Sequence, residues 1–169
     1  HDAEYYILEA QNGERWAAED KALDEKLAAF RESNGGKPPN ILYILIDDIG
    51  FGGPSTFGGP IQTPTLDRLA QSGLRYNNFH ATPLCSPSRA AFLTGRNHHS
   101  CALGVISEFS TGFPGYNGRM PLSHGMLSEV LGPAGWSTFA LGKWHLTPPE
   151  DANLAATRRW WPLGRGFDR

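Results

Sequence analysis

Three short polar segments of this 169-residue chain combine residue types that could do chemistry together. Residues 85–89 read CSPSR, which places a thiol and a guanidinium four positions apart. Residues 47–48 are a pair of aspartates, and residues 143–145 read KWH, an amine and an imidazole two positions apart. A nucleophile, hard oxygen ligands and positive charges together suit a site that binds an anion beside a reactive atom.

The thiol segment has the pattern of a helix start. Ser86 and Pro87 suit a first turn, because proline has no N–H to lose there, and Gly95 suits the end of the helix. Cys85 would then face unpaired backbone N–H groups, with Arg89 on the same helix face. The segment therefore predicts a small anion pocket that contains a nucleophile.

Two other interpretations of Cys85 stay open at this point. A cysteine before a helix is most often a small buried hydrophobe. A disulfide to Cys101, the only other cysteine, is the second alternative, although two cysteines in a chain of this length are not a disulfide framework.

Asp47 and Asp48 follow the apolar run 41–46, which is rich in β-branched residues and predicts a strand buried on both faces. Two carboxylates at the end of such a strand are costly to leave unpaired. Glycines after them let the chain turn so that both can converge, which suits Ca²⁺ or Mg²⁺. A helix cap or a turn is the alternative.

Lys143 and His145 come just after a third apolar segment, 136–141, which also predicts a strand. Positions two apart in an extended chain share a side, so both side chains should point together. A lone Lys-x-His is usually a surface feature. Its position after a strand predicts that it reaches the same sheet edge as the aspartates.

The remaining segments predict the elements that hold this site. Residues 14–33 predict an amphipathic helix with an apolar stripe, and 33–39 a stop and linker. Residues 63–70 predict a helix capped by Thr63, and 74–79 a second strand, which completes a βαβ unit.

After the thiol helix, the histidine pair 98–99 predicts a loop or substrate-rim position rather than a zinc site. Residues 102–121 predict a long irregular loop that lines the site. Residues 122–131 predict a short helix closed by Gly132 and Pro133.

Composition excludes some functions. The net charge is −2 and the pI is about 6.3, so no nucleic-acid partner is expected. No apolar run reaches the roughly 20 residues of a membrane span. No signal peptide is present, and the first residue is His1 rather than Met, so we expect an unseen preceding segment or a cut fragment.

The segment CSPSR at 85–89, followed by LTGR at 93–96, resembles the signature of the type I sulfatases. The resemblance covers Pro39 to Arg169, is closest to bacterial arylsulfatases, and does not extend to the residues before about Gly36. It implies that a formylglycine-generating enzyme oxidises Cys85 to formylglycine (3-oxoalanine). In the family this aldehyde hydrates, one hydroxyl attacks sulfur, and the other later expels sulfate.

The resemblance also implies roles for single residues. Asp47, Asp48 and the modified Cys85 would be metal ligands for Ca²⁺, or alternatively Mg²⁺. Lys143 would contact sulfate, and His145 the formylglycine or sulfate oxygens. Arg89 would offset the sulfate charge. The implied fold is α/β, a mostly parallel sheet sandwiched by helices as in alkaline phosphatase, incomplete in this chain.

The expected function is hydrolysis of sulfate monoesters, with phosphonate or phosphate ester hydrolysis, or an inactive fragment, as alternatives. Family members are several times longer, and their Asp-Asn metal pair and a further Lys and His would follow Arg169. We therefore expect residues 1–37 to be a helical extension and 38–169 the N-terminal part of a catalytic domain. Alone it should be inactive and marginally stable. The compartment stays open between bacterial cytoplasm, periplasm and secretion for a soluble protein.

Overall fold

The first element, α1, is the helix Ala3–Ser33, in a computed structural model that describes residues 3–169. It begins earlier than the predicted 14–33 and ends as expected. Gly36 N–H donates to the Arg31 carbonyl at 2.7 Å, and Gly36 has a φ of 79°, a conformation that favours glycine. Leu23 and Leu27 of the predicted apolar stripe are exposed. The helix belongs to the first of two compact units, His1–Leu45 and Ile46–Arg169.

The three predicted strands, 41–46, 74–79 and 136–141, are not formed within residues 3–169. The one β-bridge there joins Pro54 and Ile61 in parallel. A strand needs a neighbouring backbone to complete its hydrogen bonds. The apolar runs also lack a neighbouring segment that would bury their side chains, since Leu42 is 85% exposed and Leu141 is 96% exposed. The predicted parallel sheet and βαβ unit are therefore absent from the described residues.

The third of these segments does make two backbone hydrogen bonds to the end of the chain. Asp168 N–H donates to the Thr138 carbonyl, and Ala140 N–H donates to the Arg169 carbonyl, both at 2.8 Å. The Asp168 carboxylate also accepts the Thr138 N–H at 2.7 Å. These contacts fix the segment that leads to residues 143–145.

Two further helices confirm the sequence prediction. Helix α2 spans Pro64–Ser72, with Thr63 at its N-cap and Gly73 at its end. The Thr63 hydroxyl does not cap the helix; it lies 3.0 Å from the Ser55 hydroxyl instead. Helix α3 spans Cys85–Thr94, and Gly95 ends it with a φ of 64° and an N–H donated to the Ala91 carbonyl at 2.9 Å.

Helix α4 spans only Leu127–Leu131, so the predicted range 122–131 begins five residues too early. The Glu129 side chain explains the start, because its carboxylate accepts the Met126 N–H at 2.8 Å and forms a capping box. Before it, His124 N–H donates to the Pro121 carbonyl in a turn at 3.0 Å.

The rest of the second unit is irregular, as predicted for residues 102–121. Short 3₁₀ turns interrupt it at Ser55–Phe57, Ser107–Phe109, Pro149–Asp151 and Pro162–Arg165. None of the helices within residues 3–169 combines the length and the hydropathy that a membrane-spanning helix needs.

The buried core of this unit joins α3 to the segment after the predicted third strand. Ala90 of α3 and Leu146, next to His145, are both fully buried in it. The other buried members are Cys101, Leu103, Met120 and Met126, and Leu93, Trp144 and Trp160 pack against them. Burial of these side chains therefore holds Cys85 and His145, each a neighbour of a core segment, in fixed relation.

A buried cation lies beside α4. Arg165 is fully buried, and its guanidinium donates to Glu129 Oε1 at 3.2 Å, to Glu129 Oε2 at 3.0 Å and to the His124 carbonyl at 2.5 Å. Burial acts to raise the pKa of Glu129, but the hydrogen bonds from Arg165 and the Met126 N–H outweigh it, so this pKa lies below its usual value. The carboxylate is the counter-charge that makes the buried guanidinium tolerable.

We expect Glu129→Gln to lower the free energy of unfolding by about 3 kcal/mol at pH 7, because it leaves a buried guanidinium without its counter-charge. A lowered carboxyl pKa contributes stability above the unfolded value of about 4.3 and loses it as pH falls through the folded value. The difference from wild type should therefore shrink below about pH 4.

Urea unfolding at pH 7 and at acidic pH measures this. The matched control is Glu150→Gln, which removes a carboxylate that is 60% exposed and paired with Arg119 at the surface. Equal losses for the two variants at pH 7 would contradict the assignment.

Candidate active site at the start of α3

Cys85 is the first residue of α3 and is half-buried. Leu84, the N-cap, is extended, which turns the chain sharply into the helix. The Cys85 Sγ lies 3.0 Å from His145 Nδ1, so a nucleophile and a base are in hydrogen-bond contact. The interpretation of Cys85 as an inert buried hydrophobe does not describe this environment.

Arg89 lies one turn along the helix and is 9% exposed. Its Nη2 donates to Asp47 Oδ1 at 3.0 Å, and its Nη1 donates to the Lys143 carbonyl at 2.6 Å. Its Nε is buried and has no hydrogen-bond partner among the described residues. One guanidinium thus links the three segments, 47–48, 85–89 and 143–145, whose residue types predicted a reactive site.

Lys143 completes the charge cluster, because its Nζ donates to Asp47 Oδ2 at 2.7 Å. The hydrogen bonds from Lys143 and then Arg89 lower the pKa of Asp47 below its usual value. The bond to Asp47 raises the pKa of Lys143, and the nearby Cys85 adds to this. Lys143 therefore stays charged beside residue 85 at neutral pH.

The other ring nitrogen of His145 contacts a residue that sequence reasoning missed. His145 Nε2 lies 2.8 Å from Glu108 Oε1 and 2.7 Å from Glu108 Oε2. The Ser107 hydroxyl also donates to Glu108, at 3.1 Å. Burial acts to raise the pKa of Glu108, but these hydrogen bonds, with His145 first, hold it below its usual value. Glu108 is the only acid in 102–121, a signal that could have found it.

Two residues of the site have left-handed backbones. Asp48 has a φ of 53° and His145 a φ of 58°. Such values cost an L-residue of order 1–3 kcal/mol, and they concentrate where the surrounding structure fixes a functional side chain. At position 145 the turn aims the imidazole at Cys85, and Gly142 just before it, at a φ of 88°, begins the turn.

The carboxylates at 47 and 48 supply hard oxygen donors, which fit Ca²⁺ or Mg²⁺. Within residues 3–169, however, no three His, Cys, Asp or Glu side chains form a group that could hold a metal ion. Two acids are fewer than the six to eight oxygens that Ca²⁺ takes. The donor chemistry thus fits a hard cation, and the number of ligands falls short of a complete site.

Hydrogen bonds and ion pairs connect five of the six predicted site residues. These are Cys85 with His145, and Arg89 with Asp47 and Lys143. Asp48 is beside them as the neighbour of Asp47 in the chain. The histidine pair 98–99, predicted to take a loop or substrate-rim position, contacts the 102–121 loop, where His99 Nε2 lies 2.9 Å from the Tyr116 hydroxyl.

The two cysteines are both free, so the disulfide alternative is wrong for this structure. Cys101 is fully buried, and its sulfur lies 3.2 Å from the Thr94 hydroxyl. Burial raises the pKa of its thiol. Only Cys85 of the two is placed to react.

A family model described as Sulfatase matches residues 39–169. The chain belongs to the sulfatase family. This confirms the resemblance that the CSPSR segment carried. At the level of fold class the family implies an alkaline-phosphatase-like α/β fold, whose sheet the described residues do not form.

Curated sulfatases are similar over most of the chain. Arylsulfatase A of Bos taurus is 45% identical over 137 residues, which cover 78% of this chain and 24% of the relative. Human N-acetylgalactosamine-6-sulfatase is 39% identical over 148 residues, 80% of this chain and 26% of the relative. Human steryl-sulfatase is 40% identical over 120 residues, 68% of this chain and 20% of the relative. This sulfatase chain spans about a quarter of the length of these relatives.

We expect iodoacetamide to alkylate Cys85 at least about ten times faster than Cys101 in the native protein, because reaction needs an accessible thiolate. Peptide mass spectrometry over a time course measures both sites. Cys85→Ser and Cys101→Ser identify each adduct, and urea should equalise the rates. Similar rates in the native state would contradict the burial and contacts described for the two thiols.

Proposed function

We propose that this protein is a sulfuric ester hydrolase of the arylsulfatase kind, acting on sulfate monoesters at residue 85. The observation that supports the proposal best is the contact network at the start of α3. Cys85 touches His145, while Arg89 and Lys143 share Asp47, so contacts at this helix start involve a nucleophile position, a base, two cations and an acid that could bind a metal. A sulfate group needs this combination of partners.

Formylglycine formed from Cys85, with a Ca²⁺ or alternatively Mg²⁺ ion held by Asp47, Asp48 and residue 85, would supply a nucleophilic hydroxyl and neutralise negative charge. The accessible position of Cys85 suits a formylglycine-generating enzyme as an upstream partner. Sites for the remaining metal ligands are expected elsewhere in the polypeptide, since two acids leave the ion short of oxygens.

The two cations bind the substrate in this proposal. The Lys143 side chain is 41% exposed, so its ammonium has room to turn from Asp47 to a sulfate oxygen. Arg89 is held more firmly, because its side chain is 11% exposed and bonded on two sides. Its buried Nε retains an unused donor in the same guanidinium. Positive charge in a partly desolvated site stabilises the charge that develops on sulfate oxygens.

His145 acts as the proton acceptor for the side chain at residue 85. Its Nδ1 is within 3.0 Å of that side chain, which is the reach a general base requires. The left-handed backbone and the buried neighbour Leu146 fix the ring in this orientation.

We assign residues 38–169 to the N-terminal part of the catalytic domain and residues 1–37 to a helical extension. The exposed apolar segments 41–46 and 136–141 would then become strands of the predicted parallel sheet once further chain covers them. The alcohol half of the substrate, and the activity itself, belong to the whole protein.

The decisive experiment produces the full-length protein together with a formylglycine-generating enzyme. We expect the peptide containing residue 85 to lose sulfur and gain an aldehyde, and the protein to hydrolyse an aryl sulfate. Cys85→Ala should lower kcat by about 1,000-fold or more, since it removes the nucleophile. Cys101→Ala is the matched control and should keep the activity.

The same assay tests the alternative of phosphonate or phosphate ester hydrolysis. Arg89 and Lys143 contact oxyanions without distinguishing sulfur from phosphorus, so both reactions fit the cluster. A full-length enzyme that works better on an aryl phosphonate than on the matching sulfate would overturn the proposal. An aldehyde at residue 85 without activity on any of these esters would favour an inactive protein.

We expect Lys143→Ala to lower kcat/KM for the aryl sulfate by about 100-fold, the scale of losing one charge-stabilising donor. Steady-state kinetics on the full-length, oxidised protein measures this. Lys26→Ala, which removes an exposed lysine of α1, is the control and should leave kcat/KM unchanged. An equal effect of the two substitutions would remove Lys143 from the substrate site.

A further inference from the structure

The carboxylate of Glu108 lies against His145 on the side away from Cys85. Both of its oxygens are within 2.8 Å of His145 Nε2. The opposite nitrogen, Nδ1, faces the Cys85 sulfur at 3.0 Å. Side chain 85, imidazole and carboxylate therefore form a line, with the imidazole in the middle.

A carboxylate accepts hydrogen bonds and does not donate them, so its contact with Nε2 requires a proton on that nitrogen. In a neutral imidazole the other nitrogen then carries the lone pair. Glu108 thus selects the tautomer whose Nδ1 lone pair points at residue 85. The opposite tautomer would place a lone pair against the carboxylate and lose the base.

The position of Glu108 is itself supported from the core. Ser107 is 2% exposed, and its hydroxyl donates to Glu108 at 3.1 Å. The Ser107 N–H donates to the hydroxyl of Ser86, a fully buried residue of α3, at 3.4 Å. The 3₁₀ turn that carries Glu108 is therefore tied to the same helix that carries Cys85.

We propose that Glu108 is a positioning residue that fixes the tautomer and orientation of His145 for proton transfer with side chain 85. The proposal rests on the proposed function for its role in turnover, while the tautomer assignment stands on the contacts alone. When Nδ1 takes a proton, the ring becomes an imidazolium, and the negative charge of Glu108 offsets that positive charge.

A purely structural role is the competing explanation, and the exposure of Glu108 argues against it. The Glu108 side chain is 55% exposed. Ion pairs this open to water contribute little to stability. A carboxylate aligned on a base at this exposure has its main effect on the base.

The first test reads the tautomer directly and needs no sulfatase activity. In the full-length protein carrying Cys85→Ala, the Nδ1 partner is removed, so Glu108 alone acts on the ring. ¹⁵N spectra of His145 at a pH where the ring is neutral should show the Nε2–H tautomer. Adding Glu108→Gln should raise the Nδ1–H population, because the amide can donate to Nε2. A dominant Nδ1–H form at the start, or no change with Glu108→Gln, would overturn the proposal.

The second test uses the full-length, oxidised enzyme. Glu108→Gln should lower kcat by about 10- to 100-fold, the usual effect of losing a group that orients a residue in contact with the reacting atoms. KM should change less than about twofold. Glu108→Asp keeps the charge and should recover part of kcat. Glu150→Gln removes a carboxylate of similar exposure and should leave kcat unchanged.

The outcomes separate the two claims. Wild-type enzyme without activity on sulfate esters, combined with the expected tautomer shift, would defeat the proposed function and leave the role of Glu108 on His145 intact. Wild-type kcat in Glu108→Gln, or a rise in KM alone, would defeat the positioning role while the hydrolase stands. Thermal unfolding of each variant checks the fold. If Glu108→Gln unfolds, the Asp variant decides the question. Partly retained kcat together with the Nε2–H tautomer supports the proposal, whereas an unchanged tautomer with lost kcat opposes it.

Discussion

The guanidinium of Arg89 is the interaction on which the site depends. A nearly buried cation must be paired and hydrogen-bonded, or its burial becomes prohibitively costly. Arg89 meets this requirement with the Asp47 carboxylate and the Lys143 carbonyl, which lie 42 and 54 positions away in the chain. The hydrogen bonds that Arg89 requires therefore hold three distant segments together, and these segments carry the reactive groups.

The apolar core provides the rigidity that this polar cluster lacks by itself. Ala90 directly follows Arg89, and Leu146 directly follows His145, and both are fully buried in the same cluster. Trp144 packs against that cluster, while Lys143 and His145 on either side of it reach the site. Arg89 and His145 are thus immediate neighbours of buried residues, so packing of the core sets where these two side chains lie.

The sequence predicted correctly those features that depend on residues close together in the chain. Helix α3 begins at Cys85 and ends at Gly95 as expected, because its first-turn proline and left-handed stop act within a few residues. The run 41–46 predicted a strand, but strand formation depends on a partner backbone that residues 3–169 do not supply. Glu108 escaped notice since its role comes from a contact with His145, 37 positions away, and no spacing rule encodes it. The start of α4 was missed because a side-chain cap at Glu129 overrode the longer pattern.

The left-handed turns at Asp48 and His145 restrict evolution at these positions in a way that chemistry alone does not. Aspartate, asparagine, histidine and glycine enter this backbone region far more readily than β-branched residues. Few residue types are therefore compatible with either position, because a substitute must first adopt the left-handed backbone, whatever its functional group. Valine, isoleucine or threonine at either position would add backbone strain to any change in charge, whereas asparagine would separate the geometric requirement from the electrostatic one.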